Sequence, residues 1–142
     1  WYFKPDHDLV GAKEQWYTSK APLEHWEPDF FIGEFWETPK NHKFADIDGV
    51  GWYQREIAFD DIPRNARLYL HFGAVDDSLH LWIDGKYVGA YSRGPHSGWN
   101  KPFAIEVTGS ITSGTHTLVI RVHDAFAMGG IWKGVTLIAQ EP

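Results

Sequence analysis

Hydrophobic and polar residues alternate along most of the chain after residue 51. In the clearest case, residues 66–72, apolar side chains occupy every second position over seven residues. Strict period-two alternation is typical of a β-strand with one buried face. The segments with this pattern are residues 52–59, 66–72, 79–83, 103–107, 118–122 and 135–137.

Turn signals separate these strand-like segments. Asp84-Gly85 lies between the strand-like residues 79–83 and 86–91. This pair predicts a tight hairpin, because both central residues of such a turn take positive φ. No segment of ten or more residues has helical spacing, and one short helix is expected near residues 11–16. Many short strands with turns between them favour an all-β jelly-roll β-sandwich of about eight to nine strands. At 142 residues we expect a single domain spanning residues 1–142.

Composition excludes several classes of protein. The net charge is −6 and no Lys/Arg cluster stands out, so neither nucleic acid nor a membrane is an expected partner. No stretch is apolar for long enough to form a transmembrane helix. Cysteine is absent, which removes disulfides, thiolate metal sites and cysteine nucleophiles. The chain begins at Trp1 without a signal peptide, and we expect a mature or excised piece of a longer, extracellular or periplasmic protein.

Aromatic residues are unusually frequent. They make up 16% of the chain and include eight tryptophans. A core of this size does not ordinarily bury eight indoles, so we expect some to be exposed. A flat indole matches the apolar face of a pyranose ring, while charged and amide groups bond the sugar hydroxyls. Sugar stacking is therefore one reason for tryptophans to be exposed in this chain.

Loops at residues 34–49, 92–101 and 124–132 are expected to gather at one edge of the sandwich and to form a carbohydrate-binding surface. Trp99 lies in a loop rich in Gly, Pro and Ser, where exposure is favoured, although its indole could instead fold back and plug the sandwich. Trp36 has the same two interpretations. The candidate carbohydrate-binding residues are Trp99, Trp36, Arg93, His96, Asn100 and Asp124.

Metal and catalytic chemistry are less strongly indicated. Asp46 and Asp48 offer oxygen ligands for calcium, but an Asp-Gly turn explains them equally well. Asp124 could likewise cap a turn instead of bonding a sugar. No histidine pair has metalloenzyme spacing, and no carboxylate pair, Ser-His-Asp set or phosphate loop is recognisable. We therefore expect no catalytic residue, no zinc and no required cofactor, with a structural calcium as the one candidate ion.

Five motifs resemble a known family. They occur in order and at the family's spacing. Two examples are LWIDGKYVG at residues 81–89 and GGIWKGV at residues 129–135. The set is similar to the N-terminal sugar-binding domain of glycoside hydrolase family 2 β-galactosidases and β-glucuronidases, or to a carbohydrate-binding module of the same fold. The resemblance implies a galactose-binding-like jelly roll. The motifs lie at residues 48–55, 72–77, 81–89, 102–108 and 129–135.

The resemblance also implies roles for particular residues. Enzymes of this family project an acidic residue from the loop that begins at Asp124 toward the sugar bound at a neighbouring catalytic barrel. The insert at residues 93–100 departs from the family pattern. We therefore expect non-catalytic binding of a polysaccharide or oligosaccharide by a module of a polysaccharide-degrading enzyme. The alternative is a structural domain that supports the catalytic barrel of a β-galactosidase-like enzyme in the same full-length chain.

Overall fold

The computed structural model describes residues 1–20, 23–38, 43–44, 47–94 and 97–142. These residues form ten β-strands and one short 3₁₀ helix at Trp16–Thr18. The strands are β1 (Tyr2–Pro5), β2 (Gly49–Phe59), β3 (Arg67–Phe72), β4 (Val75–Asp76), β5 (Ser78–Ile83), β6 (Lys86–Ser92), β7 (Phe103–Glu106), β8 (Gly114–Asp124), β9 (Gly130–Ile131) and β10 (Val135–Gln140).

Two antiparallel sheets face each other. The larger has the order β1-β2-β8-β5-β6, the smaller has the order β10-β3-β7, and β4 and β9 form a separate two-stranded ladder. This arrangement confirms the predicted all-β jelly-roll sandwich. The strand count exceeds the predicted eight to nine because β4 and β9 have two residues each, too few to show alternation.

The long pairing of β2 with β8 fixes the two ends of the sandwich. It runs over eleven residues, from Gly49 opposite Asp124 to Phe59 opposite Gly114. The predicted hairpin at Asp84-Gly85 joins β5 to β6, and both turn residues have positive φ, at 50° and 76°. Side chains at the Gly49 and Asp124 end therefore come together, far from the Phe59 end.

The inner faces of the two large sheets form the main core. Leu70 and Phe72 of β3 pack with Leu81 of β5 and Ile120 of β8, and none of these side chains is more than 3% exposed. Burial of apolar surface between the sheets is the main stabilising contribution, worth roughly 1.5–3 kcal/mol for each large side chain that is fully buried. The apolar residues of the alternating pattern in the sequence are those that point to this inner face.

The N-terminal segment covers the outer face of the five-stranded sheet. Trp52, Trp26 and Val119 form a second buried cluster there, and Trp16 and Trp82 pack against it. The expected helix at residues 11–16 is wrong, because turns occupy residues 11–15 and the 3₁₀ helix follows them. Among the described residues, no helix is long and apolar enough to cross a membrane.

Candidate functional site

Three loop segments meet at the end of the sandwich where β2 begins and β8 ends. The backbone N–H of Trp36 donates to the carbonyl of Gly129 at 2.9 Å, and that of Gly33 donates to Ile131 at 2.9 Å. The loop after β6 reaches the same place, because Trp132 Nε1 donates to the carbonyl of Trp99 at 2.7 Å. We call this end the rim, which comprises residues 31–38, 92–94, 97–101 and 124–132.

Three aromatic rings stack along the rim. The rings of Phe35 and Trp132 are 4.7 Å apart with an interplanar angle of 19°, and those of Trp132 and Trp99 are 5.7 Å apart at 26°. The Trp99 side chain is 40% exposed, so the structure places it at the surface and not inside the sandwich. Stacking and the hydrogen bond to its carbonyl hold Trp99 in position while leaving it accessible to solvent.

Trp36 does not share this exposure. It is 0% exposed, and its indole packs beside Phe3, with the ring centroids 5.6 Å apart. Trp36 Nε1 donates to the Tyr53 hydroxyl, which also accepts the backbone N–H of Ile131 at 3.2 Å. The predicted stacking role of Trp36 is therefore wrong for this structure, because its loop turns inward and buries both faces of the ring.

The other predicted polar residues are only partly gathered at the rim. Arg93 is exposed, with its guanidinium 6.0 Å from the centre of the Tyr91 ring. Asn100 is exposed next to Trp99 in the chain. Asp48 is exposed just before β2 begins. His96 and Asp46 lie outside the described residues.

Asp124 lies in a buried group of carboxylates that we call the acidic cluster: Asp76, Asp77 and Asp124. One ligand-capable oxygen of each residue lies within 4.8 Å of the other two. The residues are 9%, 4% and 1% exposed, so the cluster lies beneath the surface of the rim. Asp77 Oδ2 accepts the N–H of Ala125 at 2.9 Å, and Asp124 Oδ1 accepts the N–H of Phe126 at 3.0 Å.

Burial and like charge make the acidic cluster hard to ionise. Burial is the main cause that raises the pKa of Asp76 to about 8, and the neighbouring Asp77 carboxyl adds to it. Burial also raises the pKa of Asp124 to about 7, with further repulsion from Asp77 and Glu37. The pKa of Glu37 is itself raised by burial, and its carboxylate accepts the N–H of Gly129 at 3.2 Å. Simultaneous ionisation of these carboxyl groups is therefore unfavourable at neutral pH.

Sequence reasoning did not assign Asp76 and Asp77 to the site. A signal was present, because two consecutive carboxylates follow the apolar Val75 directly before a buried strand. Acidic residues are almost never fully buried without a partner, so this position was unusual. Their proximity to Asp124, 48 residues beyond Asp76, depends on how β5 pairs with β8 and cannot be read from the local sequence.

The sequence matches one family over most of its length. The family described as "Glycosyl hydrolases family 2, sugar binding domain" matches residues 34–141. The chain therefore belongs to this family of sugar-binding domains, which are parts of larger glycoside hydrolases and distinct from their catalytic barrels. This confirms the family suggested by the five motifs.

Individual relatives agree with this assignment. The chain is 24% identical over 124 residues to the beta-galactosidase large subunit of Leuconostoc lactis, covering 80% of this chain and 19% of that protein. It is 30% identical over 99 residues to a putative beta-glucuronidase of Formosa agariphila, covering 61% of this chain and 11% of that protein. The chain thus spans less than a fifth of the length of either relative.

Solved structures share the fold. A beta-glucuronidase of Ruminococcus gnavus superposes with a TM-score of 0.79 at 19% identity, covering 99% of this chain and 27% of that chain. A beta-glucuronidase from an uncultured Clostridium sp. gives a TM-score of 0.73 at 25% identity, with the same coverage. In both, a domain of this shape is one part of a longer protein.

Proposed function

We propose that this chain is a non-catalytic carbohydrate-binding domain of a larger polysaccharide-degrading glycoside hydrolase, and that it binds a glycan at the rim. The observation that carries the proposal is the exposed indole of Trp99, supported by its stack with Trp132. An exposed aromatic ring held in place loses little conformational freedom when it stacks on a sugar. The family description supports sugar binding as the class of activity.

Polar groups beside Trp99 would complete the site. The exposed Arg93 guanidinium offers a planar set of donors for hydroxyls or for the carboxylate or sulfate of an acidic sugar. Asn100 adds an amide next to the ring. Because one exposed indole and a few solvent-exposed hydrogen bonds leave little surplus after the costs of association, we expect modest affinity.

The experiment is calorimetric titration of the chain with a panel of neutral, uronate-containing and sulfated oligosaccharides. Trp99→Ala is expected to weaken binding at least tenfold, while Trp99→Phe keeps a stacking ring and loses less. Tyr87→Ala is the matched control, because Tyr87 is also an exposed aromatic residue but lies on β6 away from the rim. Glycan binding that is unchanged in Trp99→Ala would contradict the assignment of the site.

A second candidate role is support of the catalytic domain in the same longer chain. The loop after β8 favours this role, because Phe126 is 60% exposed and Met128 is 48% exposed at its tip. Exposed apolar side chains close together are typical of a surface that packs against another domain. Asp124 begins this loop but is only 1% exposed, so in this structure its carboxylate faces the interior and not a sugar on a neighbouring domain.

The two roles are separated by testing the chain alone and within its longer parent protein. A supporting domain binds no glycan by itself, and Phe126→Ser with Met128→Ser then lowers the stability or activity of the parent enzyme. A binding module keeps its glycan affinity when it is isolated from the parent protein. The extracellular or periplasmic location stays a prediction.

A further inference from the structure

We propose that Asp76, Asp77 and Asp124 form a binding site for a calcium ion, held entirely by side chains of this domain. The site lies beneath the rim, where β4 ends and β8 ends. It differs from the Asp46 and Asp48 site expected from the sequence. The proposal does not depend on glycan binding.

Two carboxylate oxygens of the cluster lack hydrogen-bond partners. Asp77 Oδ1 and Asp124 Oδ2 are buried and have no hydrogen-bond partner, although the other oxygen of each carboxylate accepts a backbone N–H. Asp77 is 96% buried and Asp124 is 99% buried, as follows from their exposures of 4% and 1%. Burying a carboxylate without a partner is strongly unfavourable, so these two oxygens require a cation or a proton.

No ion pair found among the described residues involves the cluster. Across the described part of the chain, the ion pairs are Lys43 with Glu27 and His116 with Asp84, and neither involves the cluster. Glu37 adds a further carboxylate nearby, which contributes to the raised pKa of Asp124. A bound cation would stabilise the ionised forms of these carboxyl groups and lower their pKa values.

Ligand chemistry favours calcium over magnesium, because calcium accepts several carboxylate ligands, whereas magnesium usually keeps several of its waters. Calcium binds oxygen at about 2.3–2.6 Å, so two ligands on opposite sides of the ion are roughly 4.6–5.2 Å apart. Octahedral magnesium, at about 2.0–2.1 Å, limits that separation to roughly 4.2 Å. The cluster oxygens lie within 4.8 Å of one another, which is close enough for one ion to contact all three residues.

Backbone hydrogen bonds hold the ligands in place before an ion binds. The N–H of Asp77 donates to the carbonyl of His123 at 3.0 Å, which fixes the β4–β5 connection against the end of β8. Asp76 pairs with Gly130 across the β4–β9 ladder. A site held in this way loses little entropy when it binds an ion.

The test begins with calorimetric and thermal titration of the chelator-treated chain with CaCl₂ and, separately, MgCl₂ at neutral pH. We expect one calcium ion per chain, weaker binding of magnesium, and a saturable rise in Tm of about 5 °C or more at a hundredfold excess over Kd. This measurement uses the unmodified chain, so it does not depend on the folding of any variant. Absence of saturable calcium binding would show that protons neutralise the cluster and would overturn the proposal.

Two substitutions locate the ion. Asp77→Asn and Asp124→Asn are each expected to weaken calcium binding at least tenfold and, by removing repulsion, to leave the metal-free chain as stable as the unmodified chain or more so. Asp60→Asn is the matched control, because Asp60 is an exposed aspartate at the opposite end of β2. Asp48→Asn is expected to change the affinity less than twofold. Tenfold weaker binding in Asp48→Asn, or undiminished binding in both cluster variants, would overturn the assignment.

Discussion

At the scale of single residues, Tyr53 connects the core to the rim. Its side chain is 0% exposed, and burial raises the pKa of its phenol well above the usual range. The hydroxyl accepts two buried donors, Trp36 Nε1 and the N–H of Ile131. A single oxygen thus satisfies a polar atom on each of two rim segments, because Trp36 and Ile131 lie in different segments of the rim.

Removal of this oxygen leaves both donors buried without a partner. Tyr53→Phe is therefore expected to lower the free energy of unfolding by about 1–3 kcal/mol, as measured by urea denaturation. Tyr87→Phe removes a hydroxyl that bonds His80 on an exposed surface, and we expect it to change stability by less than about 0.5 kcal/mol. Equal effects in the two variants would show that the Tyr53 hydroxyl is not required.

His80 gives the fold a dependence on pH. Its pKa is lowered, first by burial and then by Arg121, its partner on β8, and its Nδ1 lies 3.2 Å from the Tyr87 hydroxyl of β6. Because the unfolded chain takes up this proton more readily, His80 lowers stability as the pH falls below about 6.5. When the pH falls from neutral to about 5, the free energy of unfolding of His80→Gln, measured by urea denaturation, is expected to decrease less than that of the unmodified chain. His7→Gln is the control for loss of an imidazole, because His7 is exposed. Parallel pH profiles of stability for His80→Gln and the unmodified chain would contradict the prediction.

At the scale of elements, the short strand β9 determines how closely the rim packs. Gly130 has φ of +112°, and a Cβ there would lie 2.6 Å from Trp36 Nε1 and 2.9 Å from the Tyr53 hydroxyl. A Cβ at Gly129, directly before it, would clash in the same way with the Asp124 side chain. The consecutive glycines allow the loop after β8 to lie directly on Trp36 and on the acidic cluster.

Gly130→Ala combines backbone strain with a steric clash. Each contributes about 1–3 kcal/mol, so we expect the variant to lose about 3 kcal/mol or more of unfolding free energy in a urea titration. Gly114→Ala is the matched control, since Gly114 has φ of +125° and a Cβ added there would meet nothing within 4 Å, which leaves strain alone. A difference below about 1 kcal/mol between the two variants would mean that the rim can move away from the added methyl group.

At the scale of the whole molecule, local pattern predicted the framework but not its ends. The strands β3, β5 and β8 were evident because one face of each packs in the main core and the other does not. Loop composition also favoured the observed exposure of Trp99, but the burial of Trp36 was not evident, since its environment depends on segments distant in the sequence. The acidic cluster was missed for the same reason.

Stability is expected to be distributed unevenly across the sandwich. Strand β8 pairs with β2 on one side and β5 on the other, whereas β10 lies at the edge of the smaller sheet and is largely exposed. Amide hydrogens of residues 118–122 are therefore expected to exchange orders of magnitude more slowly than the unpaired amides of β10, as measured by hydrogen–deuterium exchange. Comparable rates in the two strands would contradict this uneven distribution of stability.

The stacked indoles of the rim have a spectroscopic consequence. Two tryptophans with ring centroids 5.7 Å apart couple their electronic transitions, so Trp99 and Trp132 should produce an exciton couplet in far-ultraviolet circular dichroism. Trp52 and Trp82, 5.4 Å apart on the outer face, form a second coupled pair that serves as an internal reference. The difference between the spectra of the unmodified chain and Trp99→Phe isolates the rim pair. Ligand-induced changes in that difference would report the orientation of the rim chromophores without any added label.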